Sequence, residues 1–182
     1  MGKTITTQFA CGDPPLTKNP WNLGRTPGGS SSGSAAGVAA GFFPIAFGSQ
    51  TAGSVLRPAA YNGIVGFKPT HGLLETRGMY PLAKSLDTVG WFSRTVLDSA
   101  LVLEYLSKNG GLAKPREKSE IPGYTENFLN ITPPNIGLLT DYYFENAEPS
   151  TIDKIKTLKG ILRAAGANIS PITLPGINIE EV

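Results

Sequence analysis

The chain has 182 residues, of which 40% are apolar and 16% charged, and a formal charge of +2 at pH 7. That is enough chain for one domain with a sizeable core, and too little positive charge, with no Lys/Arg cluster among aromatics, to argue for nucleic acid. Cys11 is the single cysteine, which excludes an intrachain disulfide and a thiolate metal cluster and is most simply a small buried residue.

Residues 1–32 read as loop, with Pro14, Pro15, Pro20 and Pro27 and the turn pairs Gly12-Asp13 and Pro27-Gly28. The opening MGKTITTQFACGD has no signal-peptide character, and no apolar run reaches the roughly 18 residues of a membrane span, so a soluble, cytoplasmic protein is expected. Gly33 to Gly41 is a run of the smallest residues, and its alanines and leading serines predict a short helix at about 33–41. With almost no side chain to bury, such a helix makes sense only in the interior, where other backbone packs close. Phe42 to Gly48 reads as a buried strand, weakened by Pro44, entering a turn at Ser49–Gly53. A helical turn is expected at 54–60, a strand at 64–67, and irregular chain at 72–92, where Gly72, Gly78, Pro81 and Gly90 act as breaks. Thr95 and Asp98 form a capping box for a helix over 95–107, with Val96, Leu97, Ala100, Leu101, Leu103 and Leu106 as its apolar stripe. Residues 108–134 read as an exposed polar connection. A strand at 136–139, a helix at 150–165 closed by Gly166 and a strand at 169–173 then make a βαβ unit, so the fold class is α/β.

Charge is uneven along the chain. No acidic residue stands between Asp13 and Glu75, whereas from Glu75 onward there are 11 basic and 13 acidic residues. Chemistry in residues 14–74 is therefore expected to work without a local carboxylate. Within that interval lies Gly28-Gly-Ser-Ser-Ser-Gly-Ser34. As composition alone it is a flexible linker, but it runs straight into a helix and has no second domain to tether. A phosphate loop would need a Lys after Gly33, which is absent, although an anion nest remains open on local grounds. Gly29-Ser-Ser-Ser-Gly33 also fits a nucleophile elbow with Ser31 as nucleophile and His71 as base. The acid that should lie between them is missing, so a His triad is set aside. What remains is a serine activated by a neutral lysine, directly or through a second hydroxyl that relays the proton, with backbone amides aimed at the oxyanion. Gly48-Ser-Gln-Thr-Ala-Gly-Ser54, followed by Arg57-Pro58, offers such a turn of small residues.

Residues 28–58, GGSSSGSAAGVAAGFFPIAFGSQTAGSVLRP, resemble the signature of the amidase-signature serine hydrolases, as do NGIVGFKPTHG (62–72), SLDTVG (85–90), GKTITTQFA, NPWN and the βαβ order at 135–173. The resemblance implies a large mixed β-sheet covered by helices, and amide hydrolysis through an acyl-enzyme with a Ser–cis-Ser–Lys set. It places the nucleophile at Ser54 and the cis-serine at Ser30, 24 positions apart, with a cis Gly29–Ser30 peptide bond. The amides of Thr51, Ala52, Gly53 and Ser54 become the oxyanion hole, with Ser31 and Arg57 in support. Small residues at 52 and 53 let backbone approach a substrate carbonyl. No metal or cofactor is implied.

The family's lysine lies in a segment upstream of the serine-rich motif. Lys3 and Lys18 belong to motifs that follow that segment, so neither is taken as the base. The chain is accordingly read as an internal piece, residues 1–182, of an amidase domain more than twice as long, inactive when isolated. The partner reading is a small carboxamide substrate, no nucleic acid and no membrane span, with homodimerisation allowed for in the full-length form. Gln50 stands where glutamyl-tRNA amidotransferase A subunits usually carry Asp, which favours the general amidases. That transferase and a catalytically dead fragment with a binding or structural role are the alternatives.

Overall fold

A computed structural model of the chain describes residues 17–114, 123–126, 132–139 and 146–173. Contacts divide the chain into two units, Met1–Phe128 and Leu129–Val182. The first contains α1 (Ser32–Ala39), β1 (Ile45–Gln50), α2 (Leu56–Asn62), β2 (Val65–Phe67), β3 (Thr88–Ser93) and α3 (Val96–Lys108). Its sheet has the order β1-β3-β2, with β3 antiparallel to both neighbours; Ile45 and Val65 each lie opposite Ser93, and Gln50 opposite Thr88.

Why β3 is the centre follows from two adjacent residues. Successive strand residues point to opposite faces, and Trp91 and Phe92 are both fully buried. Phe92 packs with Ala35 and Val38 of α1 and with Val55 and Ala59 at α2. Trp91 packs with Leu103 of α3 and with Leu74, and its ring stands 4.9 Å from that of Phe67. Helices thus cover both faces of the strand. This corrects the irregular chain expected at 72–92. A strand buried on both sides shows no polar–apolar alternation, and Gly90 reads as a break. In the fold Gly90 is where β2 comes closest: a Cβ there would lie 2.6 Å from the Phe67 carbonyl oxygen and 3.1 Å from Val55 Cγ2.

The small-residue helix is interior, as its composition predicts, with Ala35, Ala36 and Val38 buried. It ends in a Schellman turn, Phe42 N–H donating to Gly37 O at 2.9 Å and Gly41 N–H to Val38 O at 3.1 Å, with Gly41 left-handed. β1 begins only at Ile45, past Pro44, and runs two residues beyond Gly48 into what reads as turn. The capping box of α3 is present, but its buried face is Ser99, Leu103 and Ser107. Val96, Leu97 and Leu101 of the expected stripe are exposed. Within 108–134, Leu112 and Tyr124 pack beside Trp91 and Leu103, and Thr125 donates through both its N–H and its hydroxyl to Glu104. The hydrogen bond from Lys108, together with those from Thr125, holds Glu104 down at about 2.

The second unit is the expected βαβ: β4 (Asn135–Leu139), α4 (Pro149–Ala164) and β5 (Asn168–Ile172), with β4 and β5 parallel. Pro149 opens the helix, and left-handed Gly166 follows its end. No helix among the described residues is long and apolar enough to cross a membrane.

Replacing Gly90 with Ala should force β2 away from β3. We expect a loss of about 1–3 kcal/mol in urea unfolding of the protein. An unchanged unfolding midpoint would show that the two strands can separate without cost.

Candidate active site

Two loops meet at the edge of α1 and α2. The first, residues 17–31, has little regular structure and is tied to α2 by side chains. Asn62, fully buried at the end of α2, donates through Nδ2 to the carbonyls of Pro27 (2.7 Å) and Pro58 (2.8 Å). Asn19 Nδ2 donates to Tyr61 O at 2.8 Å and Trp21 Nε1 to Asn62 O at 2.7 Å. Gly28, at φ 73°, sits so close to Pro58 that a Cβ would lie 3.0 Å from its Cα. Both the left-handed conformation and the contact require glycine there.

That anchoring delivers the serines. The Gly29–Ser30 peptide bond is cis, and Ser30 is buried at 8% exposure. Ser31 donates its N–H to Ser54 O at 3.3 Å, and its hydroxyl donates to Ser49 O at 3.4 Å. Ser31 occupies the N-cap position of α1 without capping by its side chain, because the hydroxyl is turned towards β1 instead. A Cβ on Gly48 would lie 2.7 Å from Ser31 Oγ, so glycine at 48 makes room for this contact. The structure therefore brings Ser30 and Ser31 up to Ser54 across a backbone hydrogen bond.

The second loop is the turn 51–55, between β1 and α2. Gln50 is buried, and its Oε1 accepts from the N–H groups of Val55 (2.8 Å) and Leu56 (2.9 Å). This caps the start of α2 from the residue that ends β1, and it bends the intervening chain back on itself. Ser54 and Gly53 are half-buried and Ala52 is exposed. Among the described residues, the N–H groups of Ala52, Gly53 and Ser54 donate to no protein acceptor. Three consecutive donors on a turn can take up an outside oxygen that gains negative charge. Arg57 donates its N–H to Gly53 O at 2.9 Å, and its exposed guanidinium lies over Gly53, where a Cβ would be 3.4 Å from one terminal nitrogen.

No carboxylate lies within residues 14–74, but one reaches the turn from outside that segment. Asp87, just before β3, accepts a 2.6 Å hydrogen bond from the Thr51 hydroxyl on Oδ1. Its Oδ2 accepts from the N–H groups of Leu82 (2.8 Å) and Ala83 (2.9 Å). Burial pushes this carboxyl up, but the three hydrogen bonds, with His71 nearby, outweigh it and hold Asp87 below the ordinary carboxylate range. Only the motif SLDTVG pointed towards this residue in the sequence, and nothing in its spacing indicates Thr51 as partner. His71 is exposed, with Nε2 3.2 Å from Lys84 O. Lys18 is exposed, and Lys68 Nζ donates to Pro69 O at 2.7 Å. Lys3 lies outside the described residues. Among the described residues no group of three or more His, Cys, Asp or Glu is placed to hold a metal ion.

The chain is 40% identical over 182 residues to the A subunit of glutamyl-tRNA(Gln) amidotransferase from Latilactobacillus sakei, covering 96% of this chain and 37% of that protein. It is 41% identical over 177 residues to the A subunit of the same enzyme from Fusobacterium nucleatum, covering 96% and 35%. The crystal structure of native peptide amidase from Stenotrophomonas maltophilia superposes with a TM-score of 0.69 at 33% identity, covering 87% of this chain and 33% of that one. The chain thus spans little more than a third of the length of the curated relatives it matches. Residues 2–180 match the family described as Amidase, and the chain belongs to that amidase-signature family of enzymes acting on carbon–nitrogen bonds.

Proposed function

We propose that this chain carries the acyl-transfer site of an amide hydrolase, with Ser54 as nucleophile and Ser30 as the proton relay. The observation that carries the reading is the hydrogen bond from Ser31 N–H to Ser54 O, which joins the two serine segments at the turn with free amides. Ser54 Oγ attacks the carbonyl carbon of a small carboxamide while its proton passes through the Ser30 hydroxyl to a general base. The carbonyl oxygen becomes an oxyanion held by the N–H groups of the 51–54 turn. Collapse returns a proton to the leaving nitrogen, releases the amine or ammonia and leaves an ester on Ser54. Water then attacks the ester, the acid leaves, and Ser54 regains its proton. No metal or cofactor enters these steps. Ser31 supports by fixing the Ser54 carbonyl, and Arg57 by packing its guanidinium over Gly53. For the base the family resemblance implies a lysine. Neither exposed Lys18 nor Lys68, occupied at Pro69, is assigned to that role.

The identity with amidotransferase A subunits supports a second reading, in which the same acyl-enzyme forms but ammonia is handed to an acceptor. Gln50 bears on the choice. It caps α2 as a neutral amide, where an aspartate would add a negative charge four residues before the nucleophile. A partner subunit co-purifying with the protein would favour the transferase.

A fluorophosphonate probe on the full-length protein should form an adduct on the peptide containing Ser54, and Ser54→Ala should abolish it. An adduct on Ser31 with Ser54 unmodified would overturn the assignment. Residues 1–182 expressed alone should turn over simple aryl and aliphatic amides slower by several orders of magnitude than a form extended at both ends. Without a base Ser54 is a weak nucleophile. In addition, among the described residues β1 and β2 are the edges of the sheet and Phe42, Tyr105 and Leu101 are exposed, so the isolated piece should tend to aggregate. Comparable turnover by a soluble, monomeric 182-residue chain would refute both points and make Lys3, Lys18 and Lys68 the candidates for the base.

A further inference from the structure

The first residue of the oxyanion turn is held from outside the serine-rich region. Thr51 follows directly on β1, and its hydroxyl donates to Asp87 Oδ1 at 2.6 Å, the length of a bond to a charged acceptor. Asp87 itself is 7% exposed and cannot drift, because Leu82 and Ala83 hold its other oxygen through their backbone N–H groups. Its neighbour Thr88 lies opposite Gln50 in the sheet, so the carboxylate is carried to the turn by the β1–β3 register. Two side chains therefore clamp the turn from its two ends: Gln50 through Val55 and Leu56, and Asp87 through Thr51. The amides of Ala52, Gly53 and Ser54 lie between them.

We propose that Asp87 is a positioning residue that sets the oxyanion turn through the Thr51 hydroxyl, an inference that rests on the serine mechanism above. Donors to an oxyanion help only if they are already in place when the charge forms. The chain at 51–54 is made of small residues whose side chains do little to fix it, and a hydrogen bond from Thr51 to a buried, immobilised carboxylate adds rigidity at its start. The negative charge of Asp87 would repel an oxyanion if left bare. Three donors already take it up, so it orients the turn without opposing the reaction.

The test is steady-state hydrolysis of a simple amide by the full-length protein, with melting temperature recorded for each variant. Asp87→Ala and Thr51→Val should each lower kcat about tenfold or more while KM moves by no more than about twofold. The double variant should be no slower than the slower single one, since both remove the same bond. Thr51→Ser, which keeps the hydroxyl, should recover most of the Thr51→Val loss. Thr51→Val leaves the bonds of Asp87 to Leu82 and Ala83 intact, so it decides the matter if Asp87→Ala does not fold. Parental kcat in folded Thr51→Val, or losses that multiply in the double variant, would overturn the inference while leaving Ser54 as nucleophile. A parent that fluorophosphonate does not label at Ser54 would overturn the serine mechanism and this inference with it.

Discussion

Everything at this site depends on backbone segments lying closer together than side chains would permit. Ser31 reaches Ser49 O and Ser54 O because β1 carries glycine at 48, where a Cβ would meet Ser31 Oγ at 2.7 Å. Helix α1 can lie against β1 and α2 because its buried surface is alanine, glycine, serine and a single valine. The central strand accepts β2 because Gly90 leaves the Phe67 carbonyl its space. Close packing transmits small volume changes through an interior. A methyl group added at either glycine would therefore be felt at the serine turn.

Where packing is this tight, polar side chains replace water in satisfying the backbone. Asn62 accounts for two carbonyls, Gln50 for two N–H groups and Asp87 for two more. Each ties a loop to an element that is itself fixed: Asn62 ties the 17–31 segment to α2, Gln50 joins the end of β1 to the start of α2, and Asp87 ties the 82–83 chain to Thr51. Each such bond contributes modestly when made, but losing the partner of a buried polar group costs about 1–3 kcal/mol. These side chains thus give irregular chain the definition that regular elements obtain from ladders. The N–H groups of Ala52, Gly53 and Ser54 have no such partner, and they lie in the turn that presents Ser54.

Much of this was legible in the amino-acid sequence where the signal is local. The interior small-residue helix, the Thr95–Asp98 capping box and the βαβ order at 135–172 all rest on composition, capping chemistry and periodicity within a few residues. The motif from Gly28 to Pro58 likewise pointed to its family, which the match over residues 2–180 bears out. Tertiary structure alone decided three things. It made Thr88–Ser93 the central strand, because burial on both faces erases the alternation that marks a strand and a close-approach glycine imitates a break. It turned α3 so that Ser99, Leu103 and Ser107 face inward, while Val96, Leu97 and Leu101 remain exposed. It also brought Asp87 to Thr51 across 36 positions of chain. A hydrogen bond between distant residues leaves no periodicity or spacing to read, since only the sheet register that carries one residue to the other determines that they meet.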